Sequence, residues 1–391
     1  MRLGVYDEPV HTDGKTFDTY GPFARYVKEL AKHFEEVVVF APTTEQPGYF
    51  SGCPLDFPNV KVAPLPFFLT HLGAMRHAPR IATIFRKHSR NLDAVTCRGT
   101  APLAYLLWWF TRRRGVPFVY QFSSDPFEVM AHSPKYRGLY GVFARAAYAV
   151  EFQIQKYIMR RNYSFAAGSA LTRRLRRFSP NVEPVISSAL LPEDYRLRDD
   201  CCRHRPVRLL YAGGLRPGKG LETLLEAGKA LRQSGRDAVL DLAGDGPLRE
   251  FLADQAGAMG IAEHVNFRGT LVMGPELNDC YNAADIFVLP SVSEGSPRAV
   301  LEALAHSLPV VATPVGNIPE MLDDGRCGVL VPVGDAAALA AGISRIIDDQ
   351  EFRKTCIAEG FRFAQAHSME AFAGRVAETI RRLVAQRRGQ A

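Results

Sequence analysis

Two successive series of short apolar runs, alternating with longer amphipathic stretches, predict an α/β protein of two doubly wound, Rossmann-like parallel-sheet domains. Three observations carry this expectation. The chain has 391 residues, more than one ordinary core fills and enough for two domains of typical size. Apolar residues make up 47% and charged residues 23%, a globular composition that excludes a disordered or fibrous chain. The strand–helix–strand alternation also restarts once, after a polar segment at 192–206 rich in Asp, Arg and Pro.

In the first series, residues 2–6, 37–40, 93–97, 118–122 and 163–167 read as strands. Helical patterns lie between them at 23–34, 76–88, 102–113 and 139–159. The second series has strands at 207–212, 238–243, 265–268, 286–289 and 310–313, with helices at 221–233, 248–257, 276–283 and 298–305. Residues 335–388 read as helical without strands. The domains expected are 1–195 and 206–365, facing each other across a cleft, with 366–391 packing back on the first.

The net charge of +7 suits an anionic partner such as a nucleotide, a phosphorylated substrate or an acidic membrane surface. Nucleic acid is disfavoured, because the basic residues are dispersed and no recognised binding motif appears. The seven cysteines are odd in number and none is spaced as a metal ligand, so they read as reduced thiols of a cytosolic protein. Residues 1–9 lack a basic region followed by an apolar run, so no secretory signal is expected. No run of about 18 apolar residues exists to form a spanning helix.

The most informative stretch is Glu294-Gly295-Ser296-Pro297-Arg298, which follows a strand and opens a helix. Ser296 is expected to cap that helix, with Pro297 in its first position, where no amide hydrogen is needed. The amides of Arg298, Ala299 and Val300 would then point out beside the positive helix end, and Gly295 would let a ligand approach: a site for a diphosphate. Glu302 lies on the body of the same helix, roughly 7–8 Å beyond its start at 1.5 Å per residue. A carboxylate there can accept from ribose hydroxyls, and alone in its apolar setting it would be costly without partners. The loop 211–220, Tyr-Ala-Gly-Gly-Leu-Arg-Pro-Gly-Lys-Gly, also follows a strand. Its Arg216 and Lys219 can supply positive charge to a leaving diphosphate. Residues 244–247, Gly-Asp-Gly-Pro, read as a turn bordering the cleft.

In this order, residues 213–220, 244–247, 266–270, 284–305 and 308–321 resemble the retaining glycosyltransferase family 4, the glycosyl transferases group 1, which has the GT-B architecture. The resemblance is strong over 207–333 and weaker before. It implies a retaining, metal-independent transfer from a nucleoside-diphosphate sugar, with no cofactor, to a glycan, lipid-linked or small-molecule acceptor. Catalytic roles would fall to Glu294, Lys219 and Arg216. Donor contacts would come from Glu302, Gly295, Ser296, Pro297, Arg298, Ala299, Val300 and Gly214, and from the segment Arg268, Gly269 and Leu271 beside the nucleobase. The setting it implies is cytoplasmic synthesis of cell-surface polysaccharide or glycolipid, with peripheral attachment to the inner membrane face as an alternative.

The chain departs from the family pattern in both domains, and more in the first. An arginine expected five positions before the lysine is Gly214 here, and a glycine pair after the first strand reads Gly21-Pro22. The histidine common after the fourth strand is missing from residues 120–126, where Ser123, Ser124 or Asp125 could face the acceptor instead. A nucleotide-sugar epimerase and a non-catalytic nucleotide-sugar binder of the same fold are the rival readings. Trp108 and Trp109, followed by Arg112–Arg114, are expected to pack against the sheet. The aromatic and basic residues of 135–161 fit a buried helix or a membrane surface equally.

Overall fold

In a computed structural model, residues 1–46, 52–99, 101–123, 138–271 and 273–389 are described. The chain forms two compact units, residues 1–189 with 369–391, and residues 190–368.

The first unit is built on β1 (Arg2–Tyr6), β2 (Val10–Thr12), β3 (Phe17–Thr19), α1 (Gly21–Ala31), β4 (Glu36–Thr44), β5 (Cys53–Pro54), β6 (Val60–Leu65), α2 (His71–Arg76) and α3 (Ala78–His88). It continues with β7 (Ala94–Arg98), α4 (Ala104–Arg112), β8 (Phe118–Phe122), α5 (Gly138–Met159), β9 (Tyr163–Ala167), α6 (Gly168–Arg176) and β10 (Val182–Val185). Its sheet runs β10-β9-β8-β7-β1-β4-β2-β3-β5, with β6 also on β4. The central strands are parallel, Leu3 standing beside both Val37 and Ala94. They are buried on both faces, so they appear in sequence as continuous apolar runs rather than alternating ones. Phe85 packs edge-on against both Tyr6 and Phe40, with centroids 5.3 Å apart in each case, and so ties α3 to β1 and β4.

The helix expected at 76–88 stands as α3 and starts two residues later, because His77 (φ −105°, ψ 6°) separates it from the short α2; Pro79 falls in the first turn of α3, where a missing N–H costs nothing. Trp108 packs against the core, but Trp109 is 52% exposed, which corrects the expectation that both pack against the sheet. Neighbours on a helix are separated by about 100°, and here the second ring falls on the solvent side of α4.

The second unit has β11 (Val207–Ala212), α7 (Leu221–Gln233), β12 (Ala238–Ala243), α8 (Arg249–Ala258), β13 (Val265–Gly269), α9 (Pro275–Ala283) and β14 (Ile286–Leu289). α10 (Arg298–Ala305), β15 (Val310–Ala312), α11 (Ile318–Met321), β16 (Gly328–Leu330), α12 (Ala336–Asp348) and α13 (Gln350–Ala366) follow. The strands are parallel in the order β13-β12-β11-β14-β15-β16. The chain winds outward from β11 to β13, then returns to β14 and winds the other way. The switch point therefore lies between β11 and β14, where sheets of this kind open a crevice at their carboxyl ends. Deep in this unit, Arg353 donates to Asp200 at 2.7 Å; both side chains are almost fully buried.

The last helix, α14 (Met369–Arg388), belongs to the first unit. Phe372 packs on Tyr26 of α1 with centroids 5.4 Å apart, and Arg381 donates to the carbonyl of His33 at 3.2 Å.

Candidate active site

The loops that leave β11 and β14 meet at the switch point. Gly220 has φ +66°, and a Cβ there would stand 2.0 Å from the carbonyl oxygen of Pro290, so only glycine lets the two loops touch. The Val292 amide donates to the Gly218 carbonyl at 2.9 Å and fixes the contact. Gly316, φ +58°, passes equally close beneath the other loop, where a Cβ would lie 2.3 Å from the Glu294 carbonyl oxygen.

This clamp brings Lys219 and Glu294 together. The lysine Nζ donates to Glu294 Oε1 at 2.6 Å, and Ser291 Oγ donates to the same oxygen at 2.7 Å. Ser291 is fully buried, and Thr313 Oγ1 donates to its carbonyl. The paired side chains are only 13% and 10% exposed. At that burial each ion needs the other, and removing one partner of such a pair costs about 3 kcal/mol or more. Burial pushes the Tyr211 phenol up, the Glu294 charge pushes it further and Arg216 opposes; the phenol stays protonated and donates to the Gly214 carbonyl at 3.0 Å.

α10 starts beside the pair. Pro297 occupies the capping position with extended backbone (φ −72°, ψ 111°), and its ring leaves no side-chain cap. This corrects the expected Ser296 cap. The Ser296 hydroxyl lies one residue too early and turns toward Met321 Sδ at 4.0 Å, because the Asn317 amide holds the Gly295 carbonyl at 2.8 Å. The first amides of the helix, at Arg298 and Ala299, have no residue four positions back inside the helix to bond to.

Four residues along, about 6 Å by helical rise, Glu302 Oε2 accepts from the Tyr281 hydroxyl at 2.9 Å. Tyr281 is fully buried and stacks on His306, with centroids 5.0 Å apart. Burial pushes its phenol well up, and the Glu302 charge adds to this, so the donor stays protonated. Burial pushes the His306 imidazole the opposite way, toward neutrality.

Lys219, Glu294, Glu302 and the start of α10 border a pocket of about 470 Å³. Of the residues expected from sequence, Gly214, Lys219, Leu271, Glu294, Pro297, Arg298, Ala299 and Glu302 line it. Asp245 and Thr270 line it too.

The remaining expected residues stand elsewhere. Arg216 is exposed, with its stem beside Gly214. Val300 is fully buried under α10, and Gly295 and Ser296 belong to the loop beneath. Gly269 receives the Gly244 amide at 2.7 Å, so it shapes the wall through its backbone. The Arg268 side chain turns away to Asp241 at 2.7 Å, so the place expected for Arg268 beside the nucleobase would fall to its backbone. Asp241 also takes Arg208 at 2.8 Å, and a buried carboxylate with two arginines and an amide captures whichever cation its strand neighbours carry.

In the first unit, Gly21 is the first residue of α1 and Ser123 is exposed after β8. Ser124 and Asp125 lie outside the described residues.

Sequence reasoning missed Ser291, Thr313 and Tyr281. A hydroxyl three residues before Glu294 was a usable signal for Ser291. Tyr281 gave no local signal, because it reaches Glu302 from another helix. Among the described residues, no three His, Cys, Asp or Glu side chains gather as ligands around one point.

Residues 206–349 match the family model described as glycosyl transferases group 1, and residues 23–179 match the glycosyl transferase 4-like domain. The alpha-D-kanosaminyltransferase of Streptomyces kanamyceticus is 28% identical over 276 residues, 66% of this chain and 68% of the relative. The amylovoran biosynthesis glycosyltransferase AmsK of Erwinia amylovora is 34% identical over 168 residues, so the match spans only 41% of each chain. Among solved structures, sucrose-phosphate synthase from Thermosynechococcus elongatus superposes with a TM-score of 0.72 at 19% identity, covering 99% of this chain and 100% of the other. HepE of Anabaena, solved in complex with UDP, gives 0.66 at 16% identity, covering 97% and 99%. The fold is that of the GT-B glycosyltransferases.

Proposed function

This chain belongs to the glycosyl transferases group 1 family, and from that premise we propose a retaining, metal-independent transfer of a sugar from a UDP- or GDP-sugar to a glycan, lipid-linked or small-molecule acceptor. The setting we propose is the cytoplasmic side of cell-surface polysaccharide or glycolipid synthesis. The observation that carries this reading is the Lys219–Glu294 pair beside the start of α10, with Glu302 one turn further along the same pocket.

The diphosphate of the donor lies against the amides of Arg298 and Ala299, where the helix dipole favours negative charge. Breaking the glycosidic bond transfers an electron pair to the diphosphate oxygen. Lys219 is held within reach of that developing charge, and Arg216, on the exposed lip of the loop, adds to the field. Groups preorganised this way stabilise the transition state more than the ground state, which is the condition for catalysis. Among the described residues Lys219 and Ser291 both donate to Glu294 Oε1, and Oε2 accepts from a hydroxyl of the transferred sugar. Glu302, oriented by Tyr281, is the acceptor for the ribose hydroxyls. Leu271 and Thr270 flank the base.

The experiment is turnover of UDP-glucose, GDP-mannose and related donors with a panel of acceptors, with and without chelator. We expect sugar transfer, retained in chelator, with the anomeric configuration of the donor kept in the product. Loss of transfer on chelation overturns metal independence, and an inverted product overturns retention. An epimer formed from the donor without any acceptor overturns the transferase reading itself.

A further inference from the structure

The polar segment that opens the second unit runs beside the end of α10. The Arg196 amide donates to the Ala305 carbonyl at 2.9 Å. The Ser307 hydroxyl donates to the Arg196 carbonyl at 2.9 Å and accepts from the Arg198 amide at 3.1 Å. On the side of the segment all three bonds use main chain, so its path is held whichever side chain stands at position 198.

The Arg198 side chain is half-buried and reaches the carboxyl ends of two helices at once. Nε and Nη2 both donate to the His306 carbonyl, at 3.0 and 2.8 Å. Nη1 donates to the carbonyls of Ala284 at 2.9 Å and Asn282 at 3.3 Å, and Nη2 donates also to that of Tyr281 at 3.3 Å. Ala284 and His306 are the residues that end α9 and α10. The last carbonyls of a helix have no partner inside it and carry its negative pole. A guanidinium has five N–H donors in one plane, and here all five are spent on these two ends; the point charge of a lysine does not span them. Among the described residues, the hydrogen-bond partners of this side chain are all main-chain carbonyls.

The helix ends joined in this way carry both members of one contact in the pocket. Tyr281, in the last turn of α9, gives its hydroxyl to Glu302 of α10. His306 stacks on the Tyr281 ring and donates from Nδ1 to the Glu302 carbonyl at 2.8 Å. Arg198 therefore grips the main chain of the two residues whose rings stack on each other, one of which orients the carboxylate. A carboxylate held in one rotamer before the ligand arrives has less freedom to lose on binding.

We infer that Arg198 is a positioning residue for donor recognition: by locking the carboxyl ends of α9 and α10 together it keeps Tyr281 on Glu302, and so sets how strongly the site prefers ribose over a sugar without its hydroxyls. The inference rests on the reading of Glu302 as the acceptor for the ribose hydroxyls. Arg198 acts through Tyr281, so its effect is bounded by that one hydrogen bond, about fivefold in affinity.

The test is calorimetry of the full chain with UDP and GDP and with their dideoxy counterparts, which lack both ribose hydroxyls. The wild type should prefer the ribonucleotide. Arg198→Ala should weaken the ribonucleotide about fivefold and leave the dideoxynucleotide within about twofold, so that the preference shrinks. Methylguanidinium, which fits the space left by the side chain, should restore the preference to Arg198→Ala. Arg198→Lys keeps the charge but bonds only one helix end, should also lose preference, and takes the place of the alanine variant if that one does not fold. The inference is overturned if the variant keeps the wild-type preference, or loses affinity for both nucleotides alike, while Glu302→Ala abolishes the preference. A wild type that binds both forms equally, or a Glu302→Ala variant that still prefers ribose, overturns the ribose reading of Glu302 itself and this inference with it.

Discussion

At the carboxyl end of β7, Arg98 is held against Asp7 at 3.4 Å and against Glu8; beside it, at the end of β8, Gln121 donates to both Tyr26 and Thr96. Burial pushes the Asp7 carboxyl up while Arg98 pulls it down, so that cluster is built around its own neutralisation. At the carboxyl ends of β11 and β14 the polar groups stand around a volume instead. Lys219, Glu294 and Glu302 line a pocket of about 470 Å³, each held from behind by a buried or half-buried partner. Both edges are polar; among the described residues, the first pairs its charges with one another and the second aims its charges at a pocket. The difference comes from backbone: glycines at Gly220 and Gly316 let loops cross at van der Waals contact and leave the pocket open beside them.

The sharpest way to break this contrast is at Glu294. Glu294→Gln keeps the shape but removes the charge that orients Lys219, and transfer should fall about hundredfold to thousandfold, as when one preorganised group is lost from an active site. Turnover with the best donor measures this, and a fall of less than about tenfold would place Glu294 outside the chemistry.

Loss of the pocket must be told apart from loss of the whole unit, and Asp200 provides that control. Burial pushes its carboxyl up, but hydrogen bonds from Arg353, Gln350 and the Cys201 amide outweigh this and hold it below the usual carboxylate range. An unfolded aspartate titrates near pH 4, so the stabilisation is complete above about that value and is lost as acid takes the pH down through the lower folded value. Asp200→Asn should cost about 3 kcal/mol at neutral pH by stranding Arg353, and should flatten the acid limb of a thermal melt. Unchanged acid sensitivity would remove Asp200 from that role.

A smaller effect is expected at Lys219. Lys219→Met should weaken UDP or GDP binding by about tenfold to hundredfold, the range of one charged hydrogen bond, as read by calorimetry. The smallest is at Tyr281. Tyr281→Phe takes away one donor from Glu302 and should cost about 1 kcal/mol in nucleotide affinity or in stability. If Tyr281→Phe weakens binding more than Lys219→Met, the ranking of ribose against diphosphate contacts is reversed.

Much of the second unit was legible in the sequence. Buried parallel strands are continuous apolar runs, and Val207–Ala212, Ala238–Ala243 and Ile286–Leu289 stand where those runs are. Glu294 and Lys219 were legible as well, because a polar loop between a strand end and a helix start carries its meaning locally. The strands β2, β3 and β5 were not, being two or three residues long and stabilised by pairing with each other rather than by an apolar pattern. α6 escaped notice because three arginines in nine residues mask its one buried stripe of Thr172 and Leu175. Tyr281 acts through tertiary contact, and the turn of Arg268 toward Asp241 is a matter of strand register, which no local spacing encodes.

The most direct measurement is a diffraction structure of the chain with UDP or GDP bound. The expected result puts the diphosphate against the Arg298 and Ala299 amides with Lys219 Nζ in contact and the ribose on Glu302. A nucleotide bound anywhere else, with this pocket left to solvent, would contradict the assignment.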